Sequence, residues 1–585
     1  MIDPGGGSFS FVRMSVVNGQ PAAAEARLPV RVPAGAARDL LLLALLWAGS
    51  LCLVNPLGNF PLNDDWSFGT AVKHLLEKGE FRPTGWTSMP LISQTLWGAL
   101  FCLPAGFSFT ALRFSTLFMS LGGVLAVYLL VRQAHPSRPM ALLIALSVAF
   151  NPLYFALANT FMTDSFFTAL MVMSAICFRS NLRTGSDMDL LGGTSLALAA
   201  TLCRQLGVAV PLAYGICVVC RDGLRGKVVL RAMAPVGVCA LALVALQHWL
   251  RVSGRLPALY SVQNDNLLSY FTDPIGLAIG LPTRCLTALL YLGWFSLPVL
   301  LLVHPSVATL RRHPRSFHIA ACAGGLFFVG AGLVLTFGRG PMPFAGNVLL
   351  PQGIGPLMLR DTQLLGLPHV RPLWPGFWYA VTAASLCGGA MLVASIAWLA
   401  ADDQRPPLSV LLSTDRNYSG FFLLCAALYL LPILVIGGWD RYYLPALPFL
   451  LAGAVARASA MEQRLARFKA GLAGLLLICL SGFSVLATRD YLAWNRVRWQ
   501  ALNELTSRPG VSAEQIDGGF EFNGYYLYDP LYKPQKDKSG WWVRDDAFLL
   551  SFGEMAGWRS VKEYRYHHWL PSYEGRVLVL QKEVH

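Results

Sequence analysis

Long apolar runs separated by short polar breaks recur along most of the chain, and each approaches the ~20 residues that a helix needs to cross a hydrocarbon core. The pattern predicts about thirteen transmembrane helices. They fall near 39–58, 110–131, 140–157, 164–179, 190–203, 206–220, 229–250, 284–303, 317–337, 376–400, 419–437, 441–456 and 470–487. The run MPLISQTLWGALFCLPAG (89–106) is apolar but short and bounded by prolines, so it reads as a re-entrant or interfacial helix. Between Asp64 and Gly79, the residues Phe68, Ala71, Val72, Leu75 and Leu76 recur near helical spacing, which predicts an amphipathic helix on the membrane surface.

The breaks divide the chain into three parts. Residues 1–37, rich in Gly, Ala and Pro, read as a disordered leader. Residues 38–487 form the transmembrane domain, with long polar segments at 59–109, 251–283 and 338–375. After Arg489 the character changes abruptly: residues 488–585 are charged and aromatic, with a helix predicted near 490–506 and an alternating strand, RVLVLQ, at 576–581. The fold class predicted is therefore an all-α polytopic membrane protein carrying a small C-terminal α/β domain.

Composition supports this reading and charge orients it. The chain has 585 residues, of which 55% are hydrophobic and 13% charged, and its mean hydropathy is +0.50, too apolar for a soluble protein of this size. Lys and Arg in short loops resist translocation. Arg27, Arg31 and Arg38 precede the first span, and Arg132 and Arg138, Arg179 and Arg183, and Arg221 to Arg231 follow at every second loop. That parity puts the N-terminus in the cytoplasm and the C-terminal tail outside. Much of the net charge of +14 is thus a topology signal, and no nucleic-acid partner is inferred from it.

The twelve cysteines all precede residue 480, so no disulfide holds the tail together. Cys217 and Cys220 form a CxxC inside an apolar helix with no His or carboxylate beside them, which favours packing over metal binding.

The chemistry-bearing candidates gather at one set of helix ends. PLNDDWSF (61–68) sets Asp64 and Asp65 where the first span runs out, and NTFMTDSFF (159–167) sets Asp164 just before the fourth span. Carboxylates beside a bilayer are costly, so each is either functional or a helix cap; one cap needs only one carboxylate. On the same side Arg204 and Gln205 interrupt TLCRQLG (201–207), and Asp440, Arg441, Tyr442 and Tyr443 fall in WDRYYLPALPF (439–449). An arginine amid such apolar sequence needs an anion or an aqueous pocket, and Arg441 is suited to hold a lipid phosphate through paired N–H donors. Asp440 with the two tyrosines reads either as interfacial anchoring or as substrate binding. Segment 338–375 adds Arg339, Arg360, Asp361, His369 and Arg371 among many Gly and Pro, a pattern open to a lid over a bound sugar or to a solvated loop.

Taken in order, NDDWSF after the first span, MTD after the third, the RQ hairpin and the late RYYLPALPF segment resemble the GT-C superfamily of polyprenyl-phosphate-sugar-dependent glycosyltransferases. The similarity is nearest to the bacterial relatives of protein O-mannosyltransferases and of the aminoarabinose transferase that modifies lipid A, glycosyltransferase family 39-like proteins. The resemblance covers roughly 39–487 and is densest in 60–205. It implies an inner-membrane enzyme of the bacterial envelope with a cavity facing the periplasm. Its partners would be a polyprenyl-phosphate-linked sugar, the bilayer, and an acceptor glycolipid, glycan or protein.

Carried over by position, the resemblance makes Asp64 or Asp65 the first-loop acid that contacts or deprotonates the acceptor. Asp164 becomes the second-loop acid of the same cavity, and Arg204 and Arg441 lie near the donor phosphate. The first loop departs from the family pattern: where members often carry His or Lys before Pro-Pro, this chain has TSMPL (87–91), which leaves Lys73, His74 or Arg82 to supply the charge. No cofactor is implied with certainty; some relatives use a divalent metal, and no ligand cluster beyond the acids is legible. Two rival readings share these charges: a transporter or flippase for lipid-linked glycans, and an O-antigen-ligase-like glycan ligase.

Overall fold

The structure is a computed structural model that describes residues 35–260, 262, 272–303, 314–401, 419–456 and 466–583. The predicted leader lies almost wholly outside the described residues. Helix α1 (Ala36–Val54) opens the bundle. Two helices too short to cross follow, α2 (Asp65–Lys78) and α3 (Ile92–Cys102), and then α4 (Phe109–Ala134). Next come α5 (Arg138–Ala149), α6 (Pro152–Ala158), α7 (Thr163–Thr184), α8 (Asp187–Cys203), α9 (Ala209–Asp222) and α10 (Gly226–Val252). The second half contributes α11 (Pro274–Val303), α12 (Pro314–Val334), α13 (Pro375–Ala401), α14 (Ser419–Ile436), α15 (Leu447–Ala456) and α16 (Ala466–Thr506).

Among the described residues ten helices are long and apolar enough to cross a membrane, or eleven if one bent pair counts as a span. The chain is a multi-pass membrane protein, but that number stops short of the thirteen expected. The expected segments 190–203 and 441–456 are helical yet fall below the length of a full span, at 17 residues for α8 and 10 for α15. The segment expected from 284 starts earlier, at Pro274. The bent pair is α5 with α6, which meet at 61°. Its cause is local: Pro152 supplies no N–H and disfavours helical geometry at Asn151, whose side chain instead accepts the amides of Leu153 and Tyr154 to start a new helix.

The tail does not begin as a separate body. Helix α16 runs unbroken for 41 residues, so the last span and the helix expected near 490–506 are one element. Beyond it lie β3 (Ile516–Asp517), α17 (Phe520–Leu527), β4 (Phe548–Ser551), β5 (Trp558–Trp569) and β6 (Ser572–Lys582). The four strands form one sheet in the order β3-β4-β6-β5, with β3 parallel to β4 and the remaining pairs antiparallel. Earlier in the chain, β1 (Leu349–Leu350) and β2 (Gly353–Ile354) make a small hairpin in the loop between α12 and α13.

Buried polar contacts lock the connections at one end of the bundle. Arg113 of α4 is 1% exposed and donates to the carbonyls of Pro56, Gly58 and Phe60, so the chain leaving α1 has its free carbonyls satisfied. Helix α2 is not a free surface helix: its first turn is buried, with Trp66 in an aromatic cluster with Trp86, Phe520, Tyr528 and Trp542. A Cβ on Gly524 would stand 2.4 Å from the Trp66 ring, so glycine lets α17 approach α2 this closely. The tail thereby packs directly on the NDDW turn.

Candidate functional site

Asp64 and Asp65 are separated by the helix they begin. Asp64 occupies the N-cap position of α2 but its side chain makes no capping bond. Its Oδ1 accepts the Trp86 indole N–H at 3.0 Å and its Oδ2 faces Arg441 Nη2 at 3.4 Å. Successive side chains on a helix point about 100° apart. Asp65 accordingly turns inward: it is 2% exposed, and its two oxygens accept the amides of Phe161 at 2.8 Å and Leu62 at 3.2 Å. Burial raises the Asp65 carboxyl to about 7, against the lowering effect of those amides and of Arg113. Asp65 therefore ties the first loop to the 159–163 turn, and of the adjacent pair Asp64 alone reaches an arginine.

Asp164 lies in the first turn of α7, whose N-cap is Met162, so it too is not serving as the cap. It is 0% exposed; one oxygen takes the Arg204 guanidinium and the other has no hydrogen-bond partner. Arg204 sits between α8 and the 3₁₀ turn Gln205–Val208. That hairpin is tight because of Gly207, where a Cβ would come within 2.4 Å of the Thr201 amide nitrogen.

The two acid–arginine pairs meet at Tyr442. Arg204 stacks 5.0 Å and Arg441 5.6 Å from the centroid of its ring, within cation–π range. Arg441 is 6% exposed, its Nε is buried without a partner, and its Nη1 reaches only the Met162 sulfur at 3.8 Å. Residues from four distant stretches, 64, 164, 204 and 441–442, thus form a row, Asp64, Arg441, Tyr442, Arg204, Asp164, with a carboxylate at each end and the two arginines flanking the tyrosine. Such an arrangement has guanidinium donors that an incoming phosphate could recruit and a partly exposed carboxylate at its edge.

The other expected site residues are placed elsewhere. Gln205 donates to the Ser88 carbonyl at 3.2 Å, stitching the TSMPL stretch to the hairpin. Lys73 reaches Tyr525 in the tail and His74 the Arg82 carbonyl, so neither stands by the acids. Asp440 is fully buried and accepts the amides of Val348, Leu349 and Arg441. Burial lifts Asp440 to about 6 despite those bonds. It is a clamp on the 338–375 loop and not a group free to bind substrate. Tyr443 is buried against Tyr291, and Arg339 donates to Thr287. Arg360 pairs with Asp546 at 3.0 Å, while Asp361 holds His369 and the Phe552 amide. The loop read as a candidate lid is therefore fastened to the tail and to Asp440.

Sequence reasoning missed Trp86, the donor to Asp64, and the buried Arg498–Glu521 pair, 2.8 Å apart, whose Glu521 also accepts the Asn63 amide at 3.1 Å. Nothing in the local sequence marks either, because both act across gaps in the chain. All twelve cysteines are free. Among the described residues no group of three His, Cys, Asp or Glu side chains is disposed to hold a metal.

Residues 90–250 match the family model of dolichyl-phosphate-mannose-protein mannosyltransferases. Over that stretch the resemblance to protein O-mannosyltransferases is borne out. The matched stretch is about a quarter of the chain and contains Asp164, Arg204 and Gln205, while Asp64 and Arg441 lie outside it. No curated protein matches the chain. Among solved structures, ArnT from Cupriavidus metallidurans bound to undecaprenyl phosphate aligns over 93% of this chain and 97% of its own, with 14% identity and a TM-score of 0.38. The apo form of that protein aligns over 84% of each chain with 12% identity and a TM-score of 0.34. The arabinosyltransferase EmbB from Mycobacterium smegmatis aligns over 93% of this chain and 55% of its own, with 13% identity and a TM-score of 0.34.

Proposed function

We propose that this protein is an integral-membrane glycosyltransferase that moves a monosaccharide from a polyprenyl-phosphate carrier to a hydroxyl of an envelope acceptor on the extracytoplasmic face. The observation that carries the proposal is the pairing of two carboxylates with two arginines around Tyr442 at one end of the bundle. The family description, which names a lipid-phosphate sugar as donor, supports the same class.

In this reading Asp64, whose side chain is 17% exposed, takes the proton from the acceptor hydroxyl. The hydroxyl oxygen attacks the anomeric carbon as the bond from that carbon to the phosphate oxygen breaks. The bonding pair leaves with the lipid phosphate, which becomes a monoester with added negative charge, and the single displacement inverts the anomeric centre. Arg441 and Arg204 stabilise that growing charge, and because they are fixed in place they need not reorganise as it develops. Asp164, nearly inaccessible, keeps Arg204 charged and oriented between turnovers. A carrier whose prenyl tail stays in the bilayer requires a site at the helix ends, which is where these residues lie.

The test is mass spectrometry of envelope glycolipids, glycans and glycoproteins from cells with and without the gene. One monosaccharide should vanish from one acceptor, return with the wild-type gene and stay absent with Asp64→Asn. An unchanged envelope would refute the proposal.

A further inference from the structure

The tail contains a cleft of about 800 Å³ that the site described above does not use. One wall is aromatic: Tyr526, 52% exposed, together with Tyr528 and Trp542. Tyr526 is a braced platform, because its ring packs on Phe522 at 4.8 Å and Tyr525 at 4.9 Å. Glu514, Asp529 and Asp545 line the same cleft. The single cation of the lining, Arg544, is already paired with Asp529. Three carboxylates against one committed guanidinium make the cleft acidic, which disfavours phosphate, phospholipid headgroups and anionic polymers. Aromatic faces beside carboxylate acceptors suit a ligand with apolar C–H faces and many hydroxyl donors.

The cleft also lies against the acid–arginine row. Trp542 packs on Trp86 with ring centroids 5.4 Å apart, and Tyr528 packs on Trp66 at the same separation. Trp86 is the donor to Asp64. One layer of rings thus separates the wall of the cleft from the carboxylate proposed as the base.

We propose that this cleft binds the glycan portion of the acceptor, an uncharged or amine-bearing oligosaccharide, and delivers its terminal hydroxyl towards Asp64. The inference rests on the glycosyltransferase reading and assigns the acceptor class: a glycan-bearing molecule with no anionic group on the sugars that enter the cleft. Tyr526 stacks on a sugar face, and Glu514 and Asp545 accept hydroxyl hydrogen bonds.

The probe is the oligosaccharide fraction released by mild acid from envelopes of cells lacking the gene, labelled with fluorescein at the reducing end and titrated against full-length protein in detergent by anisotropy. Wild-type protein and Asp64→Asn are expected to bind saturably and alike. Tyr526→Ala and Glu514→Gln, both on the surface of the tail, are expected to weaken binding at least tenfold without altering thermal unfolding. Absence of binding by the wild type, or binding unchanged in both cleft variants, would overturn the cleft assignment. The transfer reading is judged separately: glycan binding that persists while Asp64→Asn still restores the missing sugar in cells would leave the cleft standing and remove the base.

Discussion

Asp65 accepts the backbone amide of Phe161 at 2.8 Å, and through that bond the loop bearing one acid is fastened to the turn bearing another. Gln94 makes a second tie, donating to the Phe161 carbonyl at 2.7 Å. The distance between Asp64 and Asp164 is thus held by backbone contacts that neither residue makes itself.

Asp64→Asn should abolish transfer and leave the fold intact. The amide keeps the shape and can still accept the Trp86 bond, but it cannot take a proton. A loss of roughly 10² to 10⁴-fold in turnover is expected for removal of a general base. Transfer rates on purified protein, with thermal unfolding recorded in parallel, distinguish this from misfolding.

Asp65→Asn should act on stability and its pH dependence. The Asp65 carboxyl is raised from 3.8 to about 7 in the fold, so the folded chain holds a proton that the unfolded chain releases at lower pH. Its contribution is therefore most favourable below pH 3.8, declines as pH rises towards about 7, and is flat above that. Asp440, raised to about 6, adds a similar decline. Melting temperatures measured from pH 4 to 8 should fall less steeply in the variant. An identical slope in both proteins would count against a neutral buried Asp65.

Tyr442→Ala should weaken transfer about tenfold, equivalent to ~1 to 2 kcal/mol of cation–π interaction lost by the two buried arginines, whereas Tyr442→Phe should remain close to wild type. If Phe fails as badly as Ala, the hydroxyl matters more than the ring face, and the tyrosine would then act on substrate directly.

Glu521→Ala should unsettle the active end from the tail side. It leaves Arg498, 0% exposed, without its counter-charge and frees the Asn63 amide beside Asp64. Removing one member of a buried pair costs about 3–5 kcal/mol. The expected result is a lower melting temperature and faster proteolysis of the 59–109 loop, with Glu521→Gln milder because it still accepts the Asn63 amide.

The sequence by itself determined that the chain crosses the membrane many times, that its acids and arginines sit at helix ends, and that the tail differs from the bundle. These follow from apolar run length and charge placement, which are local quantities. It also led to the GT-C resemblance, because the motifs of that resemblance are short and occur in order. Local pattern could not decide which of Asp64 and Asp65 faces an arginine, since the answer depends on where the Phe161 amide lies, 96 residues away. Nor could it show that Asp440 and Arg360 are occupied as fasteners, that the 338–375 loop is clamped, or that the tail supplies Glu521 to the NDD turn. Those roles arise from hydrogen bonds between segments up to 458 residues apart, and only packing brings such partners within reach.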